Sequence, residues 1–397
     1  MEDIRKIRGD RVIWGIVILL SVFSLLAVYS ASSSLAFGSK GGNTEFYLIK
    51  HGMILILGLG LMYLTHKIPY RYFSKASLLG MYIAVPLLAF TLLSGSSVNE
   101  AKRWVLIPWI NLTFQSSDLA KLILFAFMAR LLYTKRALLN DFRKGFLVLL
   151  IPVGLVCMLI VPANFSTAIL IFMVCFVMMF VGRVPLKFLG GLAVLGIIMI
   201  LLLLLIGKHA PNLIPRAATW VSRIENFSDN DKENDYQAEQ SKIAIATGGF
   251  FGKLPGKSTQ RNFLPSAYSD FIFAIIIEEY GLLGGAFLIL LYMTLLFRGI
   301  RIALQADHPF GVYLATGITF GLVFQAMLNM AVAVGLGPVT GQTLPMVSMG
   351  GTSVWFTSIS VGMLLSISRN TETEESYNQV VEGTATEVIN EEQTQEA

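Results

Sequence analysis

The sequence predicts an all-α polytopic membrane protein of about ten transmembrane helices, with one large extracytoplasmic loop between helices 7 and 8. Three observations carry that expectation. Of 397 residues, 55% are hydrophobic and only 14% charged, and the mean hydropathy is +0.67, so lipid is the solvent for most of the chain. The apolar residues gather in runs long enough to cross ~30 Å of hydrocarbon. The basic residues sit in small groups between those runs, on one side of an alternating arrangement.

In chain order the runs cover 12–31, 47–65, 77–94, 117–133, 146–162, 166–184, 187–206, 271–297, 311–335 and 352–368. Only Ala163 to Phe165 separates the fifth from the sixth, and Arg183 to Lys187 the sixth from the seventh, so each pair should form a tight helical hairpin. The first run, Val12 to Tyr29, is longer than the ~7–15 apolar residues of a cleaved signal peptide and reads as an uncleaved span. Arg5, Lys6, Arg8 and Arg11 in the N-terminal segment 1–11 fall on one side with Lys67, Arg71 and Lys75. Lys135, Arg136, Arg143, Lys144, Arg183, Lys187, Arg298 and Arg301 join them, which makes that side cytoplasmic and puts both termini inside.

The membrane domain is then 12–368, and 369–397, rich in Glu and Thr without apolar periodicity, reads as a disordered cytoplasmic tail. The large loop, 207–269, has internal structure. Pro215 to Phe227 places Trp220, Val221 and Ile224 on one side, as an interfacial amphipathic helix lying along the outer leaflet would. A solvated charge run, Asp229 to Asp235, precedes a second helix over Gln237 to Thr247. The glycine-rich stretch Gly248 to Gly256 must be a turn or a close-approach loop.

Several function classes are excluded by spacing. The net charge of +5 is dispersed and forms no basic face, so no nucleic-acid partner is expected. Cys157 and Cys175 lie inside apolar runs and make neither a metal-ligand spacing nor a disulfide framework. Gly252, Gly256, Lys257 and Ser258 imitate a phosphate-binding loop, but the position that must be the first glycine of that motif is Phe251. His51, His66, His209 and His308 are scattered.

The informative residues are ionisable groups at or near membrane depth, where a charge costs at least ~2.5 kcal/mol at the bilayer centre. Asp118 and Lys121 share one face of the fourth span, beside Arg103 and Gln115 of the preceding loop. They read equally as a helix-start salt bridge and as a substrate-facing pair. Asp270 opens the eighth span, as an N-cap or as a catalytic carboxylate. Glu278 and Glu279, two turns further, read either as functional charges or as buried partners of basic residues. Arg130, near the inner end of its span, snorkels.

Four segments resemble the SEDS family, the bacterial FtsW and RodA proteins. They are KRW (Lys102 to Trp104), FQSSDLAKL (Phe114 to Leu122), RNFLPSAYSDFIFAIIIEEYGLLG (Arg261 to Gly284) and GPVTGQTLPMVSMGGTS (Gly337 to Ser353). The usual FQPSE is FQSSD here, so Asp118 replaces Glu. A PDLGT-like motif becomes Asn164-Phe165-Ser166-Thr167, without its acidic residue. SYGGSS is SMGGTS, and Arg261 replaces a Lys.

The resemblance implies an inverting glycosyltransferase that polymerises lipid II into glycan strands on the outer face of the cytoplasmic membrane. Asp270 matches the family's essential carboxylate and is expected to act as general base. Arg103, Lys121, Lys257 and Arg261 are the expected cations for the leaving pyrophosphate, with Asp118 fixing Lys121. Gln115, Ser348, Gly350 and Gly351 complete the expected substrate-binding set. The chemistry would also accept a divalent cation, Mg or Mn, for which no clear ligand set is visible.

Implied partners are a class B penicillin-binding transpeptidase and other divisome membrane proteins. The N-terminal RGDRVIWGIVILLSVFSLLAVYSAS and the polar tail resemble the division branch, FtsW, more than the elongation branch, RodA. The sequence leaves two rivals open. A lipid flippase or transporter would place its charges at the midplane, open to both sides, and a recruiting scaffold would leave Asp270 dispensable.

Overall fold

The computed structural model describes residues 9–32, 44–94, 96–98, 101–107, 112–209, 217–228 and 236–370. Residues 1–8, the whole charge run Asp229 to Asp235 and the tail from 371 lie outside the described residues. Every one of the expected spans coincides with a helix: α1 (Arg11–Ala31), α2 (Thr44–Lys67), α3 (Arg71–Ser94), α4 (Ser116–Thr134), α5 (Leu147–Ile160), α6 (Phe165–Val181) and α7 (Leu186–His209). After the large loop, with α8 (Ala217–Ser228) and α9 (Tyr236–Gly248), come α10 (Ile272–Gln305), α11 (Pro309–Ala333) and α12 (352–370). Among the described residues, seven helices are long and apolar enough to cross a membrane by length and composition alone. Of the rest, α6 has only 17 residues and α4 carries Asp118, Lys121 and Arg130.

The helical class stands with one addition. Three short antiparallel strands, β1 (Ser96–Val98), β2 (Ala101–Ile107) and β3 (Leu112–Gln115), lie between α3 and α4 in the order β1-β2-β3. Trp104 pairs with Gln115 and Ile107 with Leu112. Trp104 to Ile107 has the aromatic and β-branched composition of a strand, but seven residues are too few to stand out beside runs of membrane-crossing length.

Helix ends are fixed by side chains. Asp10 caps α1, its Oδ1 accepting from the Val12 and Ile13 amides at 2.9 and 3.2 Å, while its Oδ2 meets Arg298 of α10 at 2.6 Å. Asp141 caps the π-turn Phe142–Phe146 that leads into α5, and Asn164 caps α6 through the Thr167 amide. Backbone amides of Lys144 and Arg143, the chief causes, hold the Asp141 carboxyl below its usual range.

At the centre stands α11, the most enclosed of the seven spans, with α4, α6 and α10 packed around it. At the periphery lies α7, with only 11% of its apolar window buried. The eighth span runs on past Phe297 to Gln305 and is broken at Gly281, whose φ of 71° and ψ of −172° leave the helix. A break at membrane depth orphans backbone groups that water cannot satisfy. Here the glycine-rich stretch satisfies them: the Lys253 amide donates to Glu278 O at 2.9 Å, Leu254 to Glu279 O at 3.0 Å, and Leu282 to Gly249 O at 3.0 Å. A Cβ on Gly252 would stand 2.2 Å from Glu279 O, and one on Gly281 the same distance from Phe250 O, so only glycine permits this approach.

Candidate active site

Asp270 sits half-buried on the turn just before α10. Ser269 Oγ donates to its Oδ1 at 2.7 Å, and Asn329 Nδ2 of α11 donates to its carbonyl at 2.7 Å. The N-cap position of α10 falls one residue later, at Phe271, which supplies no side-chain cap. Burial first, then the charge of Asp270, pushes the neighbouring Tyr268 phenol above its ordinary range.

The segment 268–270 rests on the loop 337–353. Ser348 Oγ donates to Ser269 O at 2.6 Å and receives the Leu344 amide at 2.8 Å, while the Met349 amide donates to Tyr268 O at 3.0 Å. The one hydroxyl proton of Ser348 is therefore committed to holding the Asp270 segment. Gly350 and Gly351 directly precede α12, and Gly351 has the φ of +55° that favours glycine.

From that loop the polar contacts run to α4 and α6. Asn329 Nδ2 also donates to Gln342 O at 2.7 Å, and Gln342 Nε2 donates to Thr167 Oγ1 of α6 at 2.8 Å. Gln325, one turn before Asn329, donates to Thr343 O at 2.9 Å and accepts from Lys121 Nζ at 2.8 Å. Lys121 stands 3.6 Å from Asp118, whose second oxygen is buried without a partner among the described residues. The salt bridge at the start of α4 is thus real, and it is also wired to the loop beside Asp270. Gln115 joins from β3, its amide meeting Thr352 Oγ1 at 3.4 Å and its Nε2 meeting Ser117 Oγ at 3.0 Å. The backbone of Arg103 lies in β2, and its side chain is outside the described residues.

Lys257 is exposed. Arg261 turns back to α1, with Nη1 donating to Ser30 Oγ at 3.0 Å, and Ser30 Oγ in turn bonds Glu279. Glu278 and Glu279 are fully buried and take the structural alternative. Glu278 receives Lys253 Nζ at 2.7 Å, Thr259 N at 3.1 Å, Thr259 Oγ1 at 2.9 Å and the Ser258 hydroxyl. These two carboxylates pin segment 253–261 against the break in α10. Trp220 of α8, on the side that the sequence assigns to the leaflet, stacks on Phe165 at 4.9 Å, and Arg223 donates to Val339 O at 2.8 Å, so that helix docks on the bundle. Among the described residues no group of three or more His, Cys, Asp or Glu stands ready to hold a metal ion.

Sequence reasoning missed Gln325, Asn329 and Gln342, which join the site's parts. The signal was present: two amides spaced i, i+4 in an otherwise apolar span are costly in lipid unless they meet partners.

Comparison with known proteins agrees with the resemblance. Residues 10–373 match the FtsW/RodA/SpoVE family, described as cell cycle proteins. The chain is 34% identical to the probable peptidoglycan glycosyltransferase FtsW of Hydrogenovibrio crunogenus, over 90% of this chain and 91% of that one. It is 33% identical to stage V sporulation protein E of Bacillus subtilis, over 92% and 98%. Among solved structures, a chain of a peptidoglycan synthase complex that coordinates polymerisation and crosslinking superposes with a TM-score of 0.69 at 26% identity, covering 92% of this chain and 99% of that one. RodA of Thermus thermophilus, at 24% identity and a TM-score of 0.66 over 92% and 98% of the two chains, shares the fold. With nearly its whole length matched, this multi-pass membrane protein belongs to the FtsW/RodA/SpoVE family of cell cycle proteins.

Proposed function

We propose that the chain is a peptidoglycan glycosyltransferase that polymerises lipid II at the outer face of the cytoplasmic membrane, with both termini inside. The observation that carries the reading is the convergence on Asp270: one carboxylate at the mouth of α10, braced by Asn329, Ser269 and the 337–353 loop, and joined through that loop to the Lys121–Asp118 pair. An enzyme working outside the cell has no ATP, so its substrate must carry its own leaving group, and a polyprenyl pyrophosphate does.

Asp270 takes the proton of the acceptor sugar's 4-hydroxyl as that oxygen bonds to the donor's anomeric carbon. The bond from that carbon to the pyrophosphate oxygen breaks on the opposite face, which inverts the centre. The charge developing on the pyrophosphate needs cations. Lys121, held in a partly buried position, and exposed Lys257 are the ones best suited, with Arg103 a further one from β2. Arg261, bonded to Ser30, serves by its charge and by anchoring the loop. Gln115, Gly350 and Gly351 line the approach at the starts of α4 and α12. For a divalent cation, the described residues offer no group of three or more His, Cys, Asp or Glu.

The division role is favoured over elongation by the N-terminal segment, the polar tail and the naming of relatives, and it implies a class B penicillin-binding transpeptidase and other divisome membrane proteins as partners. The decisive experiment supplies labelled lipid II to the purified chain with its cognate transpeptidase. Wild type should make glycan polymer and Asp270→Asn should not. Absence of polymer from wild type, or normal polymer from Asp270→Asn, ends the reading. A fluorescent fusion that collects at mid-cell supports division; one along the side wall assigns elongation.

A further inference from the structure

The turn 344–349 that supports Asp270 is strained and unusually well held. Met346 has a φ of 64°, a left-handed conformation that a residue with a long side chain rarely adopts. Such a backbone persists only where its surroundings over-determine it, and such strain gathers at functional sites. Six contacts do so here. Tyr292 OH donates to Pro345 O at 2.5 Å, Ser358 Oγ approaches Met346 Sδ at 3.7 Å, and Ser24 Oγ donates to Val347 O at 2.8 Å. Leu344 N to Ser348 Oγ, Ser348 Oγ to Ser269 O and Met349 N to Tyr268 O complete the set and lead to Asp270.

Behind Ser24 stands His51 of α2, with Nε2 2.7 Å from Ser24 Oγ; both residues are fully buried. A serine hydroxyl has one hydrogen. If it goes to Val347 O, His51 must donate from Nε2, and both contacts are bonded. If it goes to His51, the oxygens of Ser24 and Val347 face each other at 2.8 Å with no hydrogen between them, and Nδ1–H becomes a buried donor with no partner among the described residues. The first arrangement leaves only an unused lone pair on Nδ1, which costs less than an orphaned donor.

We propose that His51 and Ser24 are positioning residues for the glycosyl transfer: His51, as the Nε2–H tautomer, clamps Ser24 onto Val347 O and so fixes the strained turn on which Asp270 rests. The proposal deepens the glycosyltransferase reading and rests on it. Neither residue touches the reacting atoms; they act through Val347, Ser348 and Ser269.

The test uses isosteres. A glutamine at 51 puts its amide nitrogen where Nε2 stands, whereas an asparagine puts it where Nδ1 stands. In the lipid II assay, His51→Asn and Ser24→Ala should lower kcat about tenfold or more with KM nearly unchanged, and His51→Gln should recover most of the rate, since a misplacement of about 1 Å in a supported catalytic group costs up to ~100-fold. If Gln and Asn lose activity equally, in step with their thermal midpoints, the role is structural and the proposal falls. It falls also if His51→Asn keeps wild-type kcat. A readout independent of activity is the nitrogen-15 spectrum of labelled histidine: Nε2 protonated with Nδ1 bare supports the clamp, and Nδ1 protonated overturns it. That measurement stands even if wild type makes no polymer, the outcome that defeats the parent reading alone.

Discussion

Asn329 Nδ2 lies 2.7 Å from the carbonyl oxygen of Asp270 and 2.7 Å from that of Gln342, so one buried amide spends both its hydrogens in joining the α10 turn to the 337–353 loop. Asn329→Leu removes both donors, and a buried carbonyl that loses its donor costs about 1–3 kcal/mol. Glycan polymerisation should fall at least about tenfold, because the segment that carries Asp270 loses its tether to α11. Asn329→Asp should do no better, since a carboxylate has no hydrogen to give. A variant of either kind with wild-type kcat would show that the tether does not set the geometry.

Asp270 gives the sharpest contrast between proton transfer and mere charge. Asp270→Asn keeps the size of the side chain and loses the base, so kcat should fall by ~10²–10⁴-fold while the thermal midpoint hardly moves. Asp270→Glu keeps the base but moves it by one methylene, and should retain more activity than Asn, though well below wild type. Steady-state polymerisation of labelled lipid II measures both. Equal activity of the Asn and Glu variants would argue that the carboxylate does not act as a base.

Glu278 and Glu279, adjacent in sequence and both buried, should respond differently to the same substitution. Both oxygens of Glu278 accept hydrogen bonds, from Lys253, Thr259, Gln260 and Ser258, so an amide at that position turns a donor toward donors. Glu279 uses Oε1 for Ser30 and Ser258, and its Oε2 is buried without a partner among the described residues. Glu278→Gln should therefore cost about 2–3 kcal/mol and Glu279→Gln less than ~1 kcal/mol. Thermal unfolding in detergent ranks them; the reverse order would contradict this arrangement of bonds.

The helical spans were legible because crossing a bilayer demands length and apolarity, and both are local properties of the sequence. Asp270 and the Asp118–Lys121 pair were legible for the opposite reason, as charges where charges are expensive. What escaped depends on pairing at long range. Gln325 and Asn329 look like blemishes in α11 until Thr343 and Gln342 come round to meet them, and the seven-residue β2 is too short to register against the spans. The glycines at 248–256 announced a close approach, but only the fold says that the partner is the broken helix at Gly281. Arg261 was expected at the pyrophosphate because its charge suits that site. Its bond to Ser30 follows from where α1 ends, which no local pattern reveals.

His308 makes one contact on the basic side of the bundle sensitive to pH. Its Nδ1 accepts the Phe310 amide at 3.2 Å and so caps α11, and its ring lies 4.4 Å from that of Tyr133. Burial, then the charges of Arg71 and Arg136, lower its pKa from the ordinary 6.5. A lowered histidine pKa means that the unfolded chain takes up the proton more readily. The cap's contribution is thus complete above pH 6.5 and is lost as the pH falls from there through the folded value. Protonation at Nδ1 also removes the lone pair that the Phe310 amide needs. His308→Asn keeps a capping acceptor that does not titrate, so the acid-induced fall in melting temperature below pH 6.5 should be smaller in the variant than in wild type. Because His51, His66 and His209 are common to both proteins, the difference between the two melting curves isolates this one group. Parallel curves over that range would mean that His308 does not link α11 to pH.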